Sequence, residues 1–214
     1  MRLIPLIAMC ALFAPGIAAA ADPISLGQFE GQCDIGAPRN AGAASYKAAS
    51  QEYEIAGSGV NMWGAKDEFH FVWKRLKGDF ILRTRFEFIT KGGDPHRKLG
   101  WMVRPNLDAD APYADGAEHG DGHAGLQFRP TKGTNTQQIA LTITNADVLQ
   151  FERKGNTYVF SAAHYGEPFV SEVLTNLDLG DEVYAGLFVC AHNGSVIEKA
   201  RFRDVRIIHP AKER

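Results

Sequence analysis

Apolar and polar residues alternate with a period of two along most of this 214-residue chain. In GDFILRTRFEF, the side chains of Phe80, Leu82 and Phe86 fall on one face of a strand, whereas Arg83 and Arg85 fall on the other. Similar runs are KLGWMVR, AGLQFRP, QQIALTIT, VLQFERKG, NTYVFSAAHY, EVYAGLFVC and ARFRDVRII, with turn-rich segments such as KGGDP and HNGS between them. The pattern predicts an all-β fold, a jelly-roll sandwich of two antiparallel sheets.

Strand parity also predicts the core. In DEFHFVW, Phe69, Phe71 and Trp73 share one face of the strand, and Glu68, His70 and Val72 share the other. The predicted core residues are the apolar members of each strand: Phe69, Phe71, Phe80, Leu82, Phe86, Leu126, Phe128, Ile139, Leu141, Phe151, Leu187 and Phe202.

The first 21 residues follow a different pattern. One positive charge, Arg2, precedes an apolar run that ends at Phe13, and small residues follow up to Ala21. This is the composition of a secretory signal peptide, so we predict a signal peptide at 1–21, one domain at 22–214, and a secreted or periplasmic location. The apolar run is shorter than the ~20 residues that a membrane span needs, and we expect no membrane span.

Charge and cysteine content narrow the possibilities further. The 23 basic and 25 acidic residues give a formal net charge of −2, so no basic surface is expected, and nucleic acid is not an expected partner. Beyond the predicted signal peptide the chain contains Cys33 and Cys190. In an oxidising compartment the two cysteines form a bridge or stay as buried thiols, and the sequence leaves both options open.

The segment HGDGH is the strongest candidate for chemistry. If it is a continuous strand, His119, Asp121 and His123 project to one side, and the same parity continues to Gln127 and Arg129. Two imidazoles and a carboxylate suit a transition metal, a polar ligand-binding edge, or a hydrogen-bonded structural role. We predict the ligand-binding edge, with His119 and Asp121 as its working members and His123 as an optional neighbour.

Other residues are predicted to complete this site. Arg104 would pair with Asp121, and Tyr113 would cover the site from the acidic loop. Trp63 lies in a glycine-rich loop, where an exposed indole could stack on a sugar ring. If their strands share a sheet, a polar stripe would include Glu68, His70, Arg83, Arg85, Gln127 and Arg129.

Several segments together resemble the concanavalin A-like jelly-roll domains, and in particular a bacterial group of uncertain function related to the regulation-of-enolase family. The segments are CDIGAP, GSGVNMWGAKDEFHFVWKRLKGDFIL, LGWMVRPNLDADAPY, HGDGHAGLQFRPTKG, LQFERKGNTY, VYAGLFVCAHN and RFRDVRI. The resemblance implies the jelly-roll fold. Members of this superfamily bind carbohydrate, cleave it, or act as accessory modules.

Three functions follow as expectations. Glucanases of the superfamily carry carboxylates in an E-x-D-x-x-E pattern, which this chain lacks, so the sequence favours a non-catalytic carbohydrate-binding protein. A glycoside hydrolase or a polysaccharide lyase is the alternative, with His119 or Tyr113 as the base of the lyase and Arg104 neutralising a uronate. A structural or interaction module of the envelope is the third option.

The cofactor considered is a structural calcium ion, held by Asp34 and Asp204 if the terminal strands are neighbours.

Overall fold

Two seven-stranded antiparallel sheets make up the part of the chain that the computed structural model describes, residues 25–211. Strands are numbered in chain order. The first sheet has the order β1 (Gly31–Ile35), β4 (Phe69–Lys77), β13 (Glu182–Cys190), β6 (Lys98–Arg104), β7 (Tyr113–His119), β8 (His123–Arg129) and β9 (Gln137–Thr144). The second has the order β12 (Val170–Leu174), β11 (Thr157–Ala163), β10 (Val148–Lys154), β5 (Phe80–Phe88), β14 (Glu198–Ile208), β3 (Glu52–Gly57) and β2 (Ala43–Lys47). The prediction of an all-β, two-sheet jelly roll is confirmed.

The main core lies between the two sheets and follows the predicted parity in most strands. The predicted residues Phe80, Leu82, Leu126, Leu141, Phe151, Leu187 and Phe202 are buried there. Three more, Phe86, Phe128 and Ile139, are partly buried against the same core. Each fully buried large apolar side chain contributes roughly 1.5 to 3 kcal/mol, so this layer is the main source of stability.

A second core covers the opposite face of the first sheet. Phe69 and Phe71 belong to it, together with Phe188 and with Met62 from the loop before β4. Phe69 and Phe71 are fully buried, as predicted for core residues, but they face away from the second sheet, since it is Val72 of β4 that lies between the sheets. Alternation separates two faces of a strand, but it does not tell which face meets the other sheet when both are covered.

The loop at 58–68, here called the covering loop, lies over this second core. It has no regular secondary structure but is held by specific hydrogen bonds. The amide of Thr136 donates to the carbonyl of Trp63 (2.9 Å), and the hydroxyl of Tyr113 donates to the carbonyl of Met62 (2.7 Å). The position of Trp63 is therefore fixed by contacts with the sheet.

A buried ion cluster, here called the arginine cluster, fixes the same loop. Both terminal nitrogens of Arg129 contact the carboxylate of Asp67 (Nη1–Oδ2 2.7 Å, Nη2–Oδ1 2.5 Å), and Nη2 of Arg104 lies 3.5 Å from Oδ2. All three side chains are fully buried. Arg129 also donates to the carbonyl of Gly64 (2.6 Å). The bidentate geometry makes this a strong and directional anchor for the covering loop.

Two other predictions concern the ends of the chain and its cysteines. The predicted signal peptide at 1–21 lies outside the described residues, and within 25–211 no helix is long and apolar enough to cross a bilayer. Cys33 and Cys190 are free thiols, because β4 lies between β1 and β13 and separates them. Burial raises the pKa of Cys190 to about 11, which makes it an unreactive thiol at neutral pH.

Candidate functional site

The HGDGH segment is a hairpin. β7 ends at His119 and β8 begins at His123, with a turn between them in which Gly122 has φ +83°. The prediction of a continuous strand is therefore wrong, because a glycine in the left-handed region reverses the chain. His119 and His123 still meet on one face, since the hairpin brings their ring centroids to 5.3 Å.

The tip of this hairpin is joined to the segment before β6. The amide of Gly120 donates to the carbonyl of Arg97 (2.9 Å), and that of Asp121 donates to the carbonyl of Pro95 (3.0 Å). These bonds bring His96 beside the two histidines of the hairpin. A cluster of imidazoles thus forms at one end of β6, β7 and β8.

A pocket of about 440 Å³ opens at this end of the sheet. Its base comes from β6–β9, and its rim comes from the covering loop, the hairpin tip and the loops beside them. We call it the histidine pocket, and its lining residues are Asn61, Trp63, His96, Lys98, His119, Asp121, His123, Gln127, Gln138 and His192.

Strand register explains why polar side chains converge here. Gly100, Ala117 and Gly125 are paired across β6, β7 and β8, so they form a row of small residues on the pocket face. His119 is two residues beyond Ala117 along β7, and Gln127 is two residues beyond Gly125 along β8, so the two side chains flank this row on opposite sides. Because the row between them carries almost no side-chain volume, their nitrogens approach to 3.2 Å.

Hydrogen bonds define the protonation state of His119. Its Nδ1 lies 2.9 Å from the carbonyl oxygen of His123, which can only accept, so Nδ1 carries the proton. Its Nε2 therefore accepts from the amide of Gln127, which also donates to Gln138 (2.7 Å). The amide of Gln138 in turn donates to Nε2 of His123 (2.8 Å). Burial lowers the pKa of His119 to about 4, so the ring is neutral at physiological pH.

Lys98 contributes an amine to the base of the same pocket. It is paired with His119 in the β6–β7 register, and only 3% of its surface is exposed. Burial lowers its pKa, whereas nearby acidic groups, including Asp115 and Asp94, oppose that shift. Among residues 25–211, the lysines that form ion pairs with carboxylates are Lys77 and Lys132, and Lys98 forms none.

Asp115 lies on the pocket face of β7, beside Gln127 in register. It is fully buried, and neither carboxylate oxygen is hydrogen-bonded to another side chain of the described residues. Burial raises its pKa well above the ordinary value, which favours the protonated, uncharged acid.

The rim is more exposed than the base. Trp63 is 42% exposed, and the rings of His96 and His192 lie 5.3 Å apart. Asp121 is exposed at the hairpin tip, where its carboxylate accepts from the amide of His123 (3.0 Å). The pocket therefore combines an accessible indole with fixed polar groups below it.

Five predicted residues line the pocket and five others were missed. Trp63, His119, Asp121, His123 and Gln127 are the predicted members. The missed ones are Asn61, His96, Lys98, Gln138 and His192. Of these five, only Lys98 could have been found from the sequence. In KLGWMVR it lies on the same strand face as Arg104, which was predicted to belong to the site.

The predicted roles of Arg104, Arg129 and Tyr113 are wrong. All three lie on the correct face of the sheet but are fully buried beneath the covering loop. Arg104 pairs with Asp67 and not with Asp121, because the covering loop supplies the nearer carboxylate. Tyr113 is the first residue of β7 and supports the loop from below.

His70 and Arg85 lie away from the pocket. His70 on β4 is hydrogen-bonded to Asp34 (2.8 Å) and Gln32 (3.0 Å). Arg85 belongs to β5 in the second sheet, where its guanidinium lies over the ring of Tyr165. The predicted polar stripe does not form, because its strands are divided between the two sheets.

The predicted metal sites are not assembled either. Asp34 is on an edge strand of the first sheet and Asp204 is inside the second, so the proposed calcium pair is separated. The nitrogens of His119 and Nε2 of His123 are occupied by hydrogen bonds within the pocket. No group of three or more histidine, cysteine or acidic side chains within residues 25–211 has the arrangement of a metal site.

Comparison with known proteins supports the fold. No protein-family model and no curated protein matches the chain. Among solved structures, a functionally unknown protein from Saccharomyces cerevisiae matches with TM-score 0.60 and 12% identity, over 79% of this chain and 93% of that one. The carbohydrate-binding module CBM66 from Bacillus subtilis matches with TM-score 0.55 and 14% identity, over 84% and 96%. Arcelin-5, a lectin-like defense protein from Phaseolus vulgaris, matches with TM-score 0.52 and 8% identity, over 82% and 90%.

The fold is a two-sheet antiparallel jelly roll, as in these solved structures. Sequence identities of 8 to 14% establish shared architecture and nothing about the ligand.

Proposed function

We propose that this protein binds a carbohydrate in the histidine pocket and does not cleave it. The observation that carries the proposal is the exposed indole of Trp63 beside a base of fixed amide and imidazole groups. An indole packs against the apolar face of a sugar ring, and buried polar groups orient its hydroxyls.

The acidic residues of the pocket favour binding over hydrolysis. Glycoside hydrolysis ordinarily uses two carboxylates on either side of the scissile bond. Asp121 is the one acidic side chain that lines the pocket among the described residues. Asp115 is fully buried and is not among the residues that line the pocket. The structural similarity to a carbohydrate-binding module and to a lectin-like protein is consistent with the same role.

The proposed setting is outside the cytoplasm. The composition of residues 1–21 supports export to the periplasm or the medium, and we propose that location. We also propose a relation to the bacterial group connected with the regulation-of-enolase family, supported by the segments that resemble it. Both proposals rest on the sequence alone.

A polysaccharide lyase is the second candidate. The observation in its favour is that a lysine and several imidazoles share one pocket, since such groups can accept a proton from carbon. The binding experiment below distinguishes it, because a lyase releases unsaturated uronates during incubation.

A glycan array probed with the mature protein, with and without a chelator, tests the proposal. We expect binding to one class of glycan, unchanged by the chelator. Trp63→Ala should weaken that binding by about tenfold or more, as is usual for an aromatic residue at the centre of an interface. Tyr165→Ala is the matched control, because Tyr165 is an exposed aromatic in the turn after β11 of the second sheet.

Three results would contradict the proposal. Binding to no glycan would exclude carbohydrate binding. If the protein that binds no glycan instead captured a protein partner, an interaction module would be favoured. New reducing ends or unsaturated uronates would show catalysis. Equal losses from Trp63→Ala and Tyr165→Ala would place the binding surface outside the histidine pocket.

A further inference from the structure

Lys98 is a buried cation with no anion beside it. Only 3% of the residue is exposed, yet its side chain lines the histidine pocket. The buried arginines in the described chain all have acceptors: Arg129 contacts the carboxylate of Asp67, Arg97 contacts that of Glu198 (2.8 Å), and Arg153 donates to backbone carbonyls. A charge removed from water without a partner costs free energy, and a bound anion would recover part of that cost.

The acidic groups nearest to this amine are held by other parts of the structure. Asp94 accepts from the amide of His96 (2.8 Å), and Asp121 accepts from the amide of His123 (3.0 Å). Both carboxylates lie in turns at the rim, where water screens their charge. Asp115 is buried nearer the base, and its environment favours the uncharged acid. The base of the pocket therefore presents a lysine amine that no carboxylate of the described residues contacts.

Two imidazoles beside the amine can add hydrogen-bond donors. His96 and His192 lie on the rim with their rings 5.3 Å apart, and both line the pocket with Lys98. Burial and, after it, the positive charge of Lys98 lower the pKa of His119 and of His192. An ammonium flanked by imidazoles is suited to an oxyanion with a single charge.

We propose that the ligand of the histidine pocket is an acidic glycan, and that the carboxylate of a uronic acid residue contacts the ammonium group of Lys98. This inference rests on the proposed function and narrows it to one class of carbohydrate. The sugar ring would pack on Trp63 at the rim, while its carboxylate reaches the base. A sulfate ester on a neutral sugar offers the same single charge, so the experiment must separate the two sources.

The experiment compares each uronate oligosaccharide with its own methyl ester by isothermal titration calorimetry. The ester keeps the sugar and the linkage but removes the charge. Oligomers of galacturonate, glucuronate, mannuronate and guluronate form the panel, and sulfated neutral oligosaccharides form a separate arm. For one member of the uronate panel, we expect the acid to bind the unmodified protein about tenfold or more tightly than the ester, the effect of one charge-assisted hydrogen bond.

Two variants locate the effect. Lys98→Met retains the length of the side chain and removes the charge, so it should bind the acid and the ester equally. Lys199→Met is the matched control, because Lys199 is exposed on β14 of the second sheet, and it should keep the preference. Melting temperatures of both variants show whether they are folded.

The outcomes separate this inference from the proposed function. Equal affinity of the unmodified protein for acids and esters would overturn the inference and leave carbohydrate binding intact. If the sulfated neutral oligosaccharides bound more tightly than every uronate oligosaccharide, the assignment of a uronate carboxylate would be overturned. No binding of any glycan would remove both proposals. The comparison of acid and ester on the unmodified protein decides the question even if Lys98→Met does not fold.

Discussion

The arginine cluster and the histidine pocket lie on the same face of the same sheet, but the buried charges are paired in the cluster and unpaired in the pocket. In the arginine cluster, Asp67 is enclosed between two guanidinium groups, and all three side chains are fully buried. In the histidine pocket, Lys98 is almost as deeply buried but has no carboxylate partner, and the pocket is open to solvent. Paired charges of this kind hold a structure together, whereas an unpaired charge in an open pocket is available to a ligand.

Removing the carboxylate of the arginine cluster should have the largest effect. Asp67→Asn would leave two buried guanidinium groups without an anion, and we expect a loss of about 3 to 5 kcal/mol in the free energy of unfolding. Urea denaturation measures this change.

The matched control for that variant is Asp108→Asn. Asp108 pairs with Lys132 at 2.9 Å, but both side chains are more than half exposed. Its loss should have little effect on the free energy of unfolding, because water screens an exposed pair. Similar costs for the two substitutions would show that the arginine cluster does not stabilise the covering loop as described.

Acid should weaken the fold through the histidine pocket. The pKa of His119 is about 4 in the folded protein against an ordinary value of 6.5, so the unfolded chain takes up the proton first as the pH falls. The neutral ring thus contributes stability above pH 6.5, and that stability is lost between about pH 6.5 and 4, by up to about 3 kcal/mol.

Comparison with His119→Gln isolates this effect from other titrating groups. The difference in unfolding free energy between the two proteins should change across that pH range and be constant outside it. A difference independent of pH would contradict the assigned environment of His119.

The smallest stability effect is expected at the rim. Because the side chain of Trp63 is 42% exposed, Trp63→Ala should change the unfolding free energy by less than about 0.5 kcal/mol. The same variant should show its main effect on glycan affinity. A large loss of stability without a change in affinity would mean that the indole is a packing residue, and the contrast between the two regions would disappear.

The sequence predicted the fold better than the site, for physical reasons. Alternation is a local property, so the strand with Phe80 and Leu82 was correctly identified from its own residues. The site depends on non-local pairing. The carboxylate that faces Arg104 and Arg129 is Asp67 of the covering loop, and no spacing in the sequence connects them.

The hairpin illustrates a second limit. HGDGH contains two glycines, and alternation alone does not show which glycine adopts the left-handed conformation that reverses the chain. His119 and Asp121 still reached the pocket, but they did so by way of a turn and not along one strand. His96 and His192 were missed because each enters from a loop whose path is set by distant contacts.

The anchoring of the covering loop has a consequence for the thermodynamics of binding. A loop that orders only when a ligand arrives loses conformational entropy at that moment, which weakens the complex. Here the carbonyl groups of Trp63 and Gly64 are already held by Thr136 and Arg129, so the backbone that carries the indole is in place before any ligand arrives. That entropy is lost during folding instead, and the pocket is preorganised. Arginine and aspartate side chains that never touch the sugar would thus set part of its affinity.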